Sequence, residues 1–176
     1  MFRTAVLIDN GYLSKILKNH FGKPNLDYEQ FSNNLCKENE DRLRTYVYMC
    51  MPYQSNPPTP EESQMYADAD RFKSALEKFS RFEIKLGKLQ KIEGIFKQKM
   101  VDVLLSVDLV HLGWSRQIQT AILVAGDRDY VPAVKAAKNA GLLVRLFYKA
   151  PIHDQLRKEC DEPIEITEEL IQNSLR

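Results

Sequence analysis

Two short apolar runs constrain this chain more than any other feature. Thr4 to Ile8 reads TAVLI and Thr120 to Ala125 reads TAILVA, and each run is followed directly by a turn that carries aspartate. A strand wetted on one face alternates apolar and polar residues, whereas a strand covered on both faces reads as an unbroken apolar stretch. These two segments therefore predict central strands that need helices above and below them.

The intervening sequence supplies those helices. Leu13, Ile16, Leu17 and Phe21 stand at helical spacing over Tyr12 to Phe21, and GKPN at Gly22 to Asn25 ends the segment. A second helix is predicted from Asp27 through Phe31 and Leu35, and a long one from Glu61 to Phe79 on the spacing of Met65, Phe72, Leu76 and Phe79. Met100 to Gly113 follows, with Gly113 as its C-terminal cap, then Val131 to Ala140 closed by Gly141, and a terminal helix from Thr167.

Further strands are predicted at Arg42 to Met51, at FEIKLGKLQ, at Leu142 to Phe147 and briefly at Pro163 to Ile166. Gly87 to Lys99 alternates around Gly94, the pattern of a strand extension or small hairpin, and PYQSNPPTPEE is a proline-rich loop. Strands alternating with helices imply right-handed crossovers and a central, mainly parallel sheet, so the expectation is a three-layer α/β domain. At 176 residues the whole chain, 1–176, is read as one domain.

Composition narrows the function little. Twenty-five basic and twenty-four acidic residues give a net charge of +1, so any nucleic-acid surface has to be a local patch. Cys36, Cys50 and Cys160 show no C-x-x-C pattern, which argues against a disulfide framework or a zinc site. The apolar run in MFRTAVLID is too short for a signal peptide and no stretch approaches the roughly 18 apolar residues of a membrane helix. The expected location is cytoplasmic, without a membrane partner.

The acids carry the chemistry. In parallel α/β sheets ligands bind beyond the carboxyl ends of the strands. Asp9 ends the first run, and Asp127 and Asp129 follow the second within VAGDRDYV. If those strands are neighbours, the three acids meet at one edge, and Asp102 can join them from the first turn of its helix. Carboxylates gathered a few ångströms apart repel unless a cation compensates them. Oxygen-only ligands favour Mg²⁺ or Mn²⁺, and such ions activate an attacking water and stabilise a departing oxygen in phosphodiester cleavage. Each acid alone has a duller reading: Asp9 or Asp127 as a helix cap, Asp102 as a partner for a helix dipole. Asp108 projects about 120° round the helix from Asp102 and roughly 9 Å further along, which suits a structural partner or a supporting role. Arg128 suits either a substrate phosphate or an ordinary ion pair.

VLIDNGYL, VDVLLSVDLV, and LVAGDRDYVPAV followed by AGLLVRLF together resemble the NYN domain, the LabA-like branch of the PIN-like nuclease superfamily. The resemblance spans about residues 3 to 150, leaving 151–176 as a C-terminal strand and helix extension. It implies a PIN-like, Rossmann-like α/β/α fold and a Mg²⁺- or Mn²⁺-dependent ribonuclease. The family's metal-holding acids fall on Asp9, Asp102, Asp127 and Asp129. Many members carry asparagine where this chain has Tyr12, with Asn10 as a stand-in, and phenylalanine where it has Tyr130.

A nuclease must also hold its substrate. Lys85, Lys88, Lys91, Lys97 and Lys99, with Arg116 beyond, form a basic stretch that reads as a phosphate track or as a solvated face. Tyr12, Tyr53, Phe96 and Trp114 read as stacking surfaces for single-stranded RNA or as core. His20, His111 and His153 lack metal-ligand spacing and are not read as catalytic. Glycine-rich dinucleotide and nucleoside-triphosphate fingerprints are absent. A haloacid-dehalogenase-type phosphatase needs an acid at position 11, where this chain has Gly11. The rival to the ribonuclease is a catalytically weak or inactive domain that binds RNA or a protein as a regulatory module. A homodimer through an apolar edge or the terminal helix is compatible with the sequence, which names no seam.

Overall fold

The computed structural model describes residues 1–92 and 95–176; Gly94 and every side chain from 89 to 99, including Phe96, Lys91, Lys97 and Lys99, lie outside the described residues. Seven strands form one sheet: β1 Phe2–Asp9, β2 Glu40–Cys50, β3 Phe82–Ile92, β4 Ile95–Lys99, β5 Thr120–Val124, β6 Leu143–Tyr148 and β7 Glu162–Glu165. Their order is β4-β3-β2-β1-β5-β6-β7. Six are mutually parallel, and β4 pairs antiparallel with β3 as the hairpin arm at one edge. The two apolar runs are direct neighbours at the sheet centre, Ile8 opposite Val124.

The unbroken apolar run of β1 divides its side chains between two cores. Ala5 and Leu7 face a core closed by α4 (Val101–Ser115) and α5 (Val131–Asn139), while Val6 and Ile8 face one closed by α1 (Asn10–His20), α2 (Tyr28–Asn34), α3 (Pro60–Leu76) and α7 (Glu168–Gln172). All four residues are 0% exposed. At about 25 cal/mol per Å² of apolar surface, this two-sided burial is what holds β1 and β5 at the centre.

Two local expectations need correction. Gly113 does not cap α4, which runs on to Ser115 and ends at Arg116 in the left-handed region, φ 53. A Cβ on Gly113 would lie 3.2 Å from the backbone of Ala137, so this glycine lets α4 and α5 cross closely. The segment after β6 also contains a short helix, α6 (Asp154–Glu159), that the sequence pattern did not reveal.

A polar network centres on a buried arginine of the sheet. Arg145 on β6, its side chain 2% exposed, donates to Glu40 at 2.8 and 3.0 Å and to Glu162 at 2.6 Å, tying the start of β2 to β6 and β7. None of the cysteines is in a disulfide, and burial pushes the Cys36 thiol up to about 11 and Cys160 up to about 12, which keeps both protonated. Among the described residues no helix is long and apolar enough to cross a membrane.

Candidate active site

Asp9 ends β1 and opens α1. One of its oxygens, Oδ1, accepts the backbone N–H of Tyr12 at 3.0 Å, the helix-cap bond, so the capping role is present. The other, Oδ2, lies 2.9 Å from the Tyr130 hydroxyl. That same hydroxyl lies 3.0 Å from Oδ1 of Asp102, in the first turn of α4. Tyr130 is 0% exposed and belongs to a 3-10 turn, Arg128–Tyr130, between β5 and α5.

A phenol has one proton, so it cannot donate to two carboxylates at once. Burial, then the charges of Asp9 and Asp102, hold the Tyr130 hydroxyl well above its usual range, and it stays protonated. Burial also raises Asp9 above the usual carboxylate range and Asp102 adds to the rise, while the N–H groups of Tyr12 and Gly11 and the phenol pull it back down. Two acids therefore face one shared proton, the arrangement in which a cation or a further proton is stabilising.

Asp127 caps the 3-10 turn by accepting the N–H of Asp129 at 3.0 Å, and its exposed side chain lines a cleft that also contains Asp9. Asp129 is exposed on the same 3-10 turn and, with Arg128, Pro132 and Gln155, lines a shallow depression beside it. Asp108 accepts from the Tyr48 hydroxyl at 2.8 Å and has Lys85 at 3.8 Å, so it is occupied more than one helix turn beyond Asp102. The four acids of the sequence motif thus divide. Asp9 is central, Asp102 is linked to it through Tyr130, Asp127 lines the cleft beside it, and Asp129 follows two residues on in the turn that Asp127 caps.

The cleft has a volume of about 680 Å³ and runs between α1 and the segment that follows β6. Tyr12 forms part of its wall: the hydroxyl accepts the N–H of Lys149 at 2.9 Å and lies 3.3 Å from the same residue's carbonyl. Its ring lies so close to Gly126 that a Cβ there would come within 2.3 Å of Tyr12 Cε2. Asn10 turns away from this cleft, accepting the Tyr28 hydroxyl at 2.7 Å. Lys15, Asn19, His20, Lys149 and His153 line it; the sequence reading named only the two histidines, and not as catalytic. The signal for Lys15 and Asn19 was present as the α1 positions that share a face with Gly11. Lys88 is exposed on β3, which β2 separates from β1, and Trp114 is 67% exposed.

A comparison with protein families places this geometry. The model of the NYN domain matches residues 3–167. The chain belongs to the NYN domain family. No curated protein matches it as a relative. NYN domains are generally nucleases, and the parallel sheet with helices on both faces is the α/β three-layer form consistent with a PIN-like NYN domain.

The donor set of this NYN domain can be weighed against a divalent ion. Among the described residues no three His, Cys, Asp or Glu side chains are grouped closely enough to form a protein-only cage. Mg²⁺ does not require one, since it typically takes one or two carboxylates and completes its shell with water and substrate phosphate. Two carboxylates sharing one phenolic proton, both with unfilled oxygen lone pairs, fit that demand.

Proposed function

We propose that this NYN domain is a ribonuclease that hydrolyses phosphodiester bonds in single-stranded RNA with Mg²⁺ or Mn²⁺. The observation that supports this reading most is the pairing of Asp9 and Asp102 across one buried hydroxyl at the carboxyl edge of the central strands, where Asp9 also lines a cleft with Asp127. Asp9, Asp102 and Asp127 would hold the ion, and Asp129 would contribute through water or by shaping the turn that presents Asp127. When bound, the ion would supply charge neutralisation at the phosphate and acidify a water for attack. The LabA-like branch is proposed on VLIDNGYL, VDVLLSVDLV, and LVAGDRDYVPAV followed by AGLLVRLF taken together.

The chain's own residues prepare the site. The α1 cap bond fixes the Asp9 carboxylate, Tyr130 holds Asp102 toward it, and the Asp129 N–H orients Asp127. The buried phenol excludes water from beneath the carboxylates.

The second reading is an RNA-binding domain without turnover. It is favoured by Tyr12, which lines the cleft at the position where many members of the family carry asparagine. Labelled single-stranded RNA incubated with Mn²⁺, with chelator, and with Asp127→Asn separates the two. The ribonuclease reading expects cleavage that chelator abolishes and that the variant reduces at least 100-fold. Binding without cleavage in Mn²⁺ would favour the regulatory module.

A further inference from the structure

We propose that the cleft between α1 and the segment after β6 is the channel along which the RNA backbone leaves the acidic cluster, with Lys15 as the phosphate contact closest to Asp9. The inference rests on the ribonuclease reading and specifies where its substrate lies. The phosphate track suggested by the lysines of β3 and β4 lies toward the opposite edge of the sheet, because β3 is on the β2 side of β1 and β6 on the β5 side.

Three observations carry it. The cleft is continuous with the acids: Asp9 and Asp127 stand at its head, and α1 borders it through Tyr12, Lys15, Ile16, Asn19 and His20. Those positions recur at intervals that keep one helical face turned to the cleft over about 12 Å from Tyr12 to His20. A strand laid along that face would pass from the carboxylates to open solvent at His20.

The charges in the cleft are also unequal in availability. Lys149 is committed, its ammonium 2.9 Å from Glu165 and its backbone bound to Tyr12. Lys15 is exposed and forms no ion pair among the described residues. Beside Asp9 and Asp127, which repel phosphate until an ion compensates them, it is an uncommitted cation about 9 Å along α1 from Asp9. His153 enters the same cleft from the opposite wall, just before α6.

The lining is mixed in a way that suits a sugar-phosphate chain. Ile16 and Ile152 give apolar contact for ribose or base, while Asn19 provides both a donor and an acceptor to the 2′-hydroxyl. A small apolar ligand would leave these polar groups unpaired.

The test is fluorescence anisotropy with a labelled decamer of polyuridine in Ca²⁺, over a salt series, for the full chain and for Lys15→Glu, Lys15→Gln and Lys135→Glu. Lys135 is on α5, away from the cleft, near Glu159. The expected result is binding weakened about 10-fold or more by Lys15→Glu and unchanged by Lys135→Glu. For Lys15→Gln the slope of log K against log salt should fall by about 0.7, the value for one lost phosphate contact on a single strand. Wild-type binding with Lys15→Glu indistinguishable from Lys135→Glu would overturn the channel and leave the ribonuclease standing. No RNA binding by the wild type, with no cleavage in Mn²⁺, would overturn both.

Discussion

The Tyr130 hydroxyl reaches Asp9 at 2.9 Å across 121 residues of sequence, and the same oxygen lies 3.0 Å from Asp102. One turn thereby joins the end of β1 to the start of α4. Tyr130→Phe removes this link without changing the ring. A buried hydrogen bond to a charged group contributes about 1.5–3 kcal/mol, so the metal-free variant should lose stability in that range. Saturating Mn²⁺ should narrow the difference, because the ion takes over the work of holding the carboxylates. Chemical denaturation of both proteins with and without Mn²⁺ reads this directly.

Asp9 gives a pH dependence of defined sign. Its carboxyl is raised by burial first and by Asp102 as well, so the folded state binds that proton more tightly than the unfolded chain does. Its contribution to stability is present below the unfolded pKa of about 3.9 and is lost as pH rises through the folded value. Asp9→Asn keeps an oxygen to accept the Tyr12 N–H and removes the charge. The variant should melt higher than metal-free wild type at about pH 7, with the gain vanishing near about pH 3. A lower melting temperature at pH 7 would show that the carboxylate is compensated by something other than a cation.

Much of this arrangement was legible in sequence, and the rest was hidden for physical reasons. The runs at Thr4 and Thr120 declared themselves as doubly covered strands because their side chains alternate between two apolar cores. Asp9 and Asp102 could be placed because each sits at a junction of elements that periodicity can locate. Tyr130 could not be seen as a bridge, since a 3-10 turn of three residues leaves no periodic trace. Asp127 and Asp129 looked equivalent at a separation of two residues, and only the folded turn shows that the Asp127 carboxylate accepts the Asp129 N–H. His20 and His153 were set aside for lacking metal-ligand spacing, which is the wrong criterion for lining a cleft. Gly113 read as a cap because a glycine near a helix end usually is one, and only the neighbouring helix shows that close crossing is what it serves.

Gly126 and Tyr12 form a tight pair. A methyl group at position 126 would meet Tyr12 Cε2 at 2.3 Å, and the ring is held at its far end by the Lys149 backbone. Gly126→Ala should therefore cost roughly 1–3 kcal/mol through overpacking. In a Tyr12→Asn background the smaller side chain leaves room, and the same alanine should cost well under 1 kcal/mol, within the ordinary range of tolerated changes. A double-mutant cycle by urea denaturation measures the coupling.

The Arg145 network predicts an acid sensitivity opposite in sign to that of Asp9. Burial raises Glu40, but its bonds with Arg145 outweigh this and leave it lowered, and Glu162 is lowered by Lys37 and Arg145. Their stabilisation is present above the unfolded carboxyl value of about 4.3 and is lost as pH falls through the folded values. Arg145→Met takes the guanidinium from a buried Glu40, leaving the Lys37 N–H as a donor to it, and should cost about 3–5 kcal/mol at neutral pH. Adding Glu40→Met should recover most of that loss, as seen by equilibrium unfolding.

The account turns on a divalent cation at the carboxyl edge of β1 and β5, and anomalous diffraction from crystals soaked in Mn²⁺ tests this most directly. The predicted result is a manganese peak within about 2.0–2.6 Å of carboxylate oxygens of Asp9 and Asp102, weakened by Asp9→Asn. Well-ordered Asp9 and Asp102 carboxylates with the Tyr130 hydroxyl still between them, and no manganese beside them at saturating concentration, would contradict it.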